Sequence, residues 1–144
     1  LGEISVKEFE ANKHLIKDEV ILKRIKHVIY EDERVLESVE ALKCGDIAKF
    51  GQLMNQSHDS LQYDYEVTGD ELDIMVEEAR KIKGVVGSRM TGGGFGGCTV
   101  SIVDDGSVDE FIKTVGANYE KRTGITPEFY VSEIGDGGHE VTDF

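Results

Sequence analysis

The chain has 144 residues, 39% of them hydrophobic and 31% charged, and its 16 Lys plus Arg against 29 Asp plus Glu give a formal charge of −13. That is enough apolar material for one domain with a buried core. It is too acidic for a surface that binds nucleic acid or anionic lipid, and the excess is spread over both halves.

In chain order, Leu1 stands where an initiating Met would be, which sets the expectation of a preceding region. No cationic leader is present, and apolar runs such as Val20-Ile21-Leu22 are too short to cross a bilayer, so a cytoplasmic protein is expected. Ser5 and Glu8 form a capping box opening a short helix with Val6 and Phe9 inward. Asp18 opens a long helix whose apolar stripe is Ile21, Ile25, Val28, Val35, Val39 and Leu42, with a gap at Asp32. Gly45 ends it, and Asp46 caps a helix with Ile47, Phe50, Leu53, Met54 and Leu61 as core positions.

Thr68 and Glu71 form a second capping box ahead of Leu72, Met75, Val76, Ala79 and Ile82, and Gly84 ends that helix. Val85 to Met90 and Cys98 to Val103 predict strands. Asp104-Asp105-Gly106 is a turn, and Ser107 with Glu110 forms a third capping box before Phe111, Ile112, Val115 and Tyr119. Gly124 stops that helix, Pro127 precedes a strand from Glu128 to Glu133, and the tail 135–144 reads as loose. The expected fold is α+β: a helical part over about 1–62, then a ferredoxin-like antiparallel sheet with packed helices over about 63–134. Its first strand would come from Tyr63 to Val67 or from before Leu1.

Gly92-Gly93-Gly94-Phe95-Gly96-Gly97 places five of the 17 glycines in six positions. Glycine loses the most entropy on folding, so this density needs positive φ angles or a close approach to backbone. A structural hairpin uses one or two glycines, so a loop facing an anion or ligand is expected, with Arg89 and Thr91 beside it. The dinucleotide fingerprint fails because a strand follows the loop, and the P-loop fails because Cys98 stands where Lys is needed. The protein-kinase flap fits as strand-loop-strand, but its companion motifs are missing.

Other constellations are weaker. Ser57-His58-Asp59 spells a triad in letters, yet consecutive helical side chains diverge by about 100° and cannot form a relay. His14, His27, His58 and His139 show no metal-ligand spacing, nor do Cys44 and Cys98, which read as reduced thiols. Asp104-Asp105 and Glu31-Asp32-Glu33 are explained as a solvated turn and helix face. Arg80, Lys81 and Lys83 suit the negative end of a helix.

The segment Ser88-Arg89-Met90-Thr91-Gly92-Gly93-Gly94-Phe95-Gly96-Gly97-Cys98 closely resembles the third conserved motif of the galactokinases, within the GHMP small-molecule kinases. Met54-Asn55-Gln56-Ser57-His58, Tyr65-Glu66-Val67, Glu71-Leu72-Asp73, Lys121-Arg122-Thr123-Gly124 and Phe129-Tyr130-Val131 extend the likeness, with His27-Val28 and Glu31 to Val35 matching less tightly. The resemblance implies a carboxy-terminal domain of a kinase acting on galactose with ATP and Mg²⁺. The family's catalytic residues, sugar signature and nucleotide loop would then precede Leu1, leaving no catalytic or metal residue here and an inactive isolated domain. Arg89, Thr91, Gly92, Gly93, Gly94, Phe95, Gly96 and Gly97 would form a loop facing sugar or phosphates, with Ser57 and His58 either cleft-facing or packed. Phe95 is either a hydrophobic pin seating the loop or a cleft contact, with a buried pin the favoured expectation, and Arg89 either meets phosphates or holds the loop through a carboxylate. Another GHMP kinase acting on a sugar or amino sugar, and a non-catalytic sensor, are the other readings. Self-association through an exposed apolar face is also expected of the isolated domain.

Overall fold

The computed structural model describes residues 1–135, 137 and 138; His139 and most of the tail lie outside the described residues. The elements are helices α1 (Val6–Asn12), α2 (Glu19–Lys43), α3 (Ile47–Ser60) and α4 (Asp70–Arg80), strands β1 (Val85–Thr91) and β2 (Cys98–Val103), and helix α5 (Val108–Thr123). The class is α+β, an antiparallel hairpin with helices packed around it.

Helix boundaries follow local chemistry. Ser5 and Glu8 close their reciprocal capping box on α1, and Asp18 and Asp46 accept from Ile21 N–H and Lys49 N–H at the starts of α2 and α3. Beyond α2, Gly45 takes a left-handed φ of 71° and Asp46 N–H returns to Ala41 C=O, closing the helix end. Two expected capping boxes are not formed. Gly69, not Thr68, caps α4, and Thr68 is buried. A 3₁₀ turn over Asp105–Ser107 leads into α5 and puts Ser107 in the helical region, where its side chain cannot cap. That hydroxyl instead fills the space where Gly84 has no Cβ.

Two expected strands are also missing among the described residues. Leu61–Tyr65 continues α3 as a π-helical turn, closed by Glu66 at a φ of 60°, so Tyr63 to Val67 supplies no strand. From Glu128 to Glu133 the chain joins no ladder, and an extended segment becomes a strand only when a neighbour completes its hydrogen bonds. Phe129 turns inward against Phe111, with ring centroids 6.0 Å apart, while Tyr130 and Val131 stay exposed.

Ala79, Phe111 and Val115 form the buried centre between α4, α5 and the hairpin, ringed by Met75, Ile82, Val85, Val103, Ile112 and Phe129. Along the outer edge of β1 lies α3, seated by glycine. A Cβ on Gly51 would overlap the Val86 carbonyl, and one on Gly87 would stand 2.6 Å from Gly51 O. Side chains satisfy the edge that β2 does not use. Ser88 N–H donates to Asn55 Oδ1 at 2.9 Å, Met90 N–H donates to His58 Nδ1 at 3.1 Å, and the Arg80 guanidinium donates to Ser88 C=O at 3.2 Å.

The expected apolar stripe of α2 is real but is not the buried face. His27, Ile29 and Ala41 are buried, whereas Ile21, Val35, Val39 and Leu42 are exposed. Ile47 is likewise exposed at the start of α3, although Leu53 and Met54 are buried as expected.

Candidate functional site: the glycine loop and its support

The hairpin delivers the loop 92–97 from the end of β1 to the start of β2, and Thr91 to Gly97 are exposed apart from half-buried Gly94. Its backbone is left-handed at four consecutive or near-consecutive positions: φ is 75° at Gly92, 82° at Gly94, 56° at Phe95 and 86° at Gly96. Glycine adopts that region without strain, but Phe95 does so at a cost of about 1 kcal/mol.

The anchor of the loop is backbone, not ring. Phe95 N–H donates to Val67 C=O at 2.8 Å, and Gly94 lies so close that a Cβ there would overlap the same carbonyl. The Phe95 ring is 80% exposed. The expectation of a buried aromatic pin is therefore corrected: a hydrogen bond to the turn after α3 seats the loop and leaves the ring in solvent. At Gly92, Gly93 and Gly96 nothing in the described domain lies within 4 Å of a built Cβ.

Arg89 stands beside a carboxylate. Its Nη1 donates to Ser57 Oγ at 3.2 Å and stands 3.6 Å from Glu31 Oε1, while Nε donates to Met90 C=O at 3.0 Å. Ser57 Oγ gives its own proton to Glu31 Oε1 at 2.5 Å, and Arg34 grips the other carboxylate oxygen at 2.7 Å. This chain of charge-assisted contacts ties α2 and α3 to the strand entering the loop.

Ser57 and His58 are each only 2% exposed, so neither presents a side chain to solvent. His58 Nδ1 accepts from Met90 N–H, which puts the proton of the neutral ring on Nε2, 3.3 Å from Asp73 Oδ1. Burial, then the neighbouring Arg80 charge, pushes its pKa below the ordinary histidine value. Burial also lowers His27, whose Nδ1 lies 3.0 Å from Ser60 Oγ and whose ring stacks on Tyr65. Asp59 faces outward and pairs with Arg80, so the three-letter triad is separated by the helix as its geometry requires.

Sequence reading missed Glu31, Asn55, Arg80 and the Val67 carbonyl as supports of the loop. A signal for Glu31 was available: His27, Glu31 and Arg34 are spaced four and three apart, a polar line on the same helix as the apolar one.

Residues 38–121 match the family model described as GHMP kinases C terminal. The chain belongs to the GHMP kinase family. Among similar GHMP kinases, a galactokinase of Fusobacterium nucleatum is 59% identical over 141 residues, 98% of this chain and 36% of that protein. A galactokinase of Clostridium acetobutylicum is 52% identical over the same shares. The crystal structure of Lactococcus lactis galactokinase complexed with galactose superposes with a TM-score of 0.90 at 49% identity, covering 94% of this chain and 35% of that one. The chain thus spans about a third of the length of these GHMP relatives. Cys44 and Cys98 are both free and exposed, and no described helix is long and apolar enough to cross a membrane.

Proposed function

We propose that these residues form the carboxy-terminal domain of a galactokinase, which transfers the γ-phosphate of ATP to the 1-hydroxyl of galactose. The loop 92–97 is the wall this domain offers to the substrates. The observation that carries this role is Gly93. Its φ lies outside the left-handed region and a Cβ would meet nothing, so neither conformation nor packing within the domain calls for glycine there. A close-approaching ligand does.

The loop fits such a ligand by shape. Bare backbone at Gly92, Gly93 and Gly96 admits a sugar or a polyphosphate without side-chain clash. It carries no free cation of its own, since Arg89 is committed to Glu31, Ser57 and the Met90 carbonyl. Among the described residues no three His, Cys, Asp or Glu side chains gather as metal ligands. When bound, ATP and Mg²⁺ supply the phosphoryl group and the neutralising charge. The contribution of this chain is positional. Val67 fixes the loop, the Glu31–Ser57–Arg89 contacts fix the strand that enters it, and His58 fixes Met90 N–H two residues before the first loop glycine.

Phosphoryl transfer by the full-length protein tests this reading. Galactose-dependent release of ADP is expected, with no turnover by the 144-residue chain alone. A full-length protein that leaves ATP untouched in the presence of galactose, or a 144-residue chain that turns over, would contradict it.

A further inference from the structure

Helix α2 has three faces, and two have partners within the domain. His27, Glu31 and Ala41 turn toward α3, where His27 meets Ser60 and Glu31 meets Ser57. Ile25 and Ile29 line the groove beneath α1 with Phe9 and Ile16. The third face carries Ile21, Val28, Val35, Val39 and Leu42, at spacings that fall on one helical line. Ile21, Val35, Val39 and Leu42 are 43 to 55% exposed. From Ile21 to Leu42 the line runs about 30 Å at the helical rise. An apolar line of that length, interrupted at Asp32, is unusual on a face left to water.

We infer that this face seats an amphipathic helix contributed by the part of the longer protein outside these 144 residues. The GHMP relatives are nearly three times as long as the stretch they share with this chain, so most of such a protein has to pack elsewhere. The shape of the face selects a helix. Its ridges repeat at three, four and seven residues, which accept the ridges of another helix, and about 20 residues would cover the line. A strand finds no ladder here, because the backbone of α2 is already hydrogen-bonded within itself.

A second copy of this chain fits badly. The midpoint of the line falls at Asp32, so a twofold antiparallel pairing would press Asp32 against its own equivalent. Two chains of charge −13 also repel one another. The helix that fits is apolar along one side and carries a basic residue opposite Asp32.

The full-length protein with p-benzoylphenylalanine at Val39, and separately at Ile21, tests this. Irradiation is expected to give intramolecular crosslinks at monomer mass, to residues outside 1–144 spaced three or four apart. A crosslinked dimer joining α2 to α2 would overturn the assignment in favour of a second copy. Hydroxyl-radical footprinting of the unsubstituted full-length protein is the second readout. Oxidation of Val35, Val39 and Leu42 at least tenfold slower than for the free amino acids supports a covered face. Oxidation at the free rate overturns it.

Discussion

The seam between α3 and β1 and the loop between β1 and β2 are both built on glycine, for opposite reasons. At Gly51 and Gly87 the missing Cβ is filled by the neighbouring backbone, and the polar groups of the strand edge are met by Asn55, His58 and Arg80. At Gly92, Gly93 and Gly96 the space stays empty, and beside them a phenylalanine is held in a left-handed conformation with its ring in solvent. Glycine in the seam is explained by the fold. In the loop, a left-handed backbone calls for glycine at 92, 94 and 96, and only Gly93 has neither a positive φ nor a neighbour to explain it. A residue type alone does not separate the two cases; what lies against the absent side chain does.

The largest expected effect falls on the seam. Gly51→Ala drives a methyl into the Val86 carbonyl, and backbone cannot move aside as a side-chain tip can. A loss of about 3 kcal/mol is expected in denaturant unfolding, at the upper end for overpacking. A loss near zero would break the contrast from the side of the seam.

The seam, through His58, and the neighbouring α2–α3 contact, through His27, also carry a pH dependence that the loop lacks. His58 and His27 are held neutral, with pKa values depressed by burial, so the unfolded chain takes up protons before the native one. Stability is full above the ordinary histidine pKa of about 6.5 and falls as pH drops below it, by up to about 1.4 kcal/mol per pH unit for each histidine. Thermal unfolding at pH 7.5 and 5.5 measures this. His58→Asn, which can keep an acceptor for Met90 N–H, is expected to flatten the slope, and an unchanged slope would remove His58 as its source.

In the loop the sign reverses. Phe95→Gly releases the left-handed strain and uncovers little, so stability is expected to rise by about 0.5 to 1 kcal/mol. The same substitution is expected to lower kcat/KM of the full-length protein for galactose. A gain in stability with unchanged kinetics would leave Phe95 without a role in the site.

Much of this was legible in the sequence because local chemistry decided it. The serine and aspartate caps of α1, α2 and α3, the helix-ending Gly45 and Gly124, and the two strands around the loop all follow from neighbours in the chain. Where distant contacts decided, the pattern misled. The apolar stripe of α2 marks an outward face because the polar line of His27, Glu31 and Arg34 packs inward. Glu128 to Glu133 has the composition of a strand, but composition does not supply a partner. In the loop, glycine density was visible, whereas the anchoring of Phe95 by its amide and not its ring depends on where the Val67 carbonyl lies. Ser57 and His58 stood out by resemblance, and only packing shows that they act from within, on Arg89 and Met90.

The most direct test of the loop is Gly93→Ala in the full-length protein, read for stability and for galactose-dependent turnover together. The domain leaves open space at this position, so unfolding should shift by no more than about 0.5 kcal/mol. A methyl on the substrate wall should nevertheless lower kcat/KM by tenfold or more, because a small misplacement at a reacting centre is costly. Unchanged stability with unchanged turnover would show that nothing approaches the loop, and would contradict its role as a substrate wall.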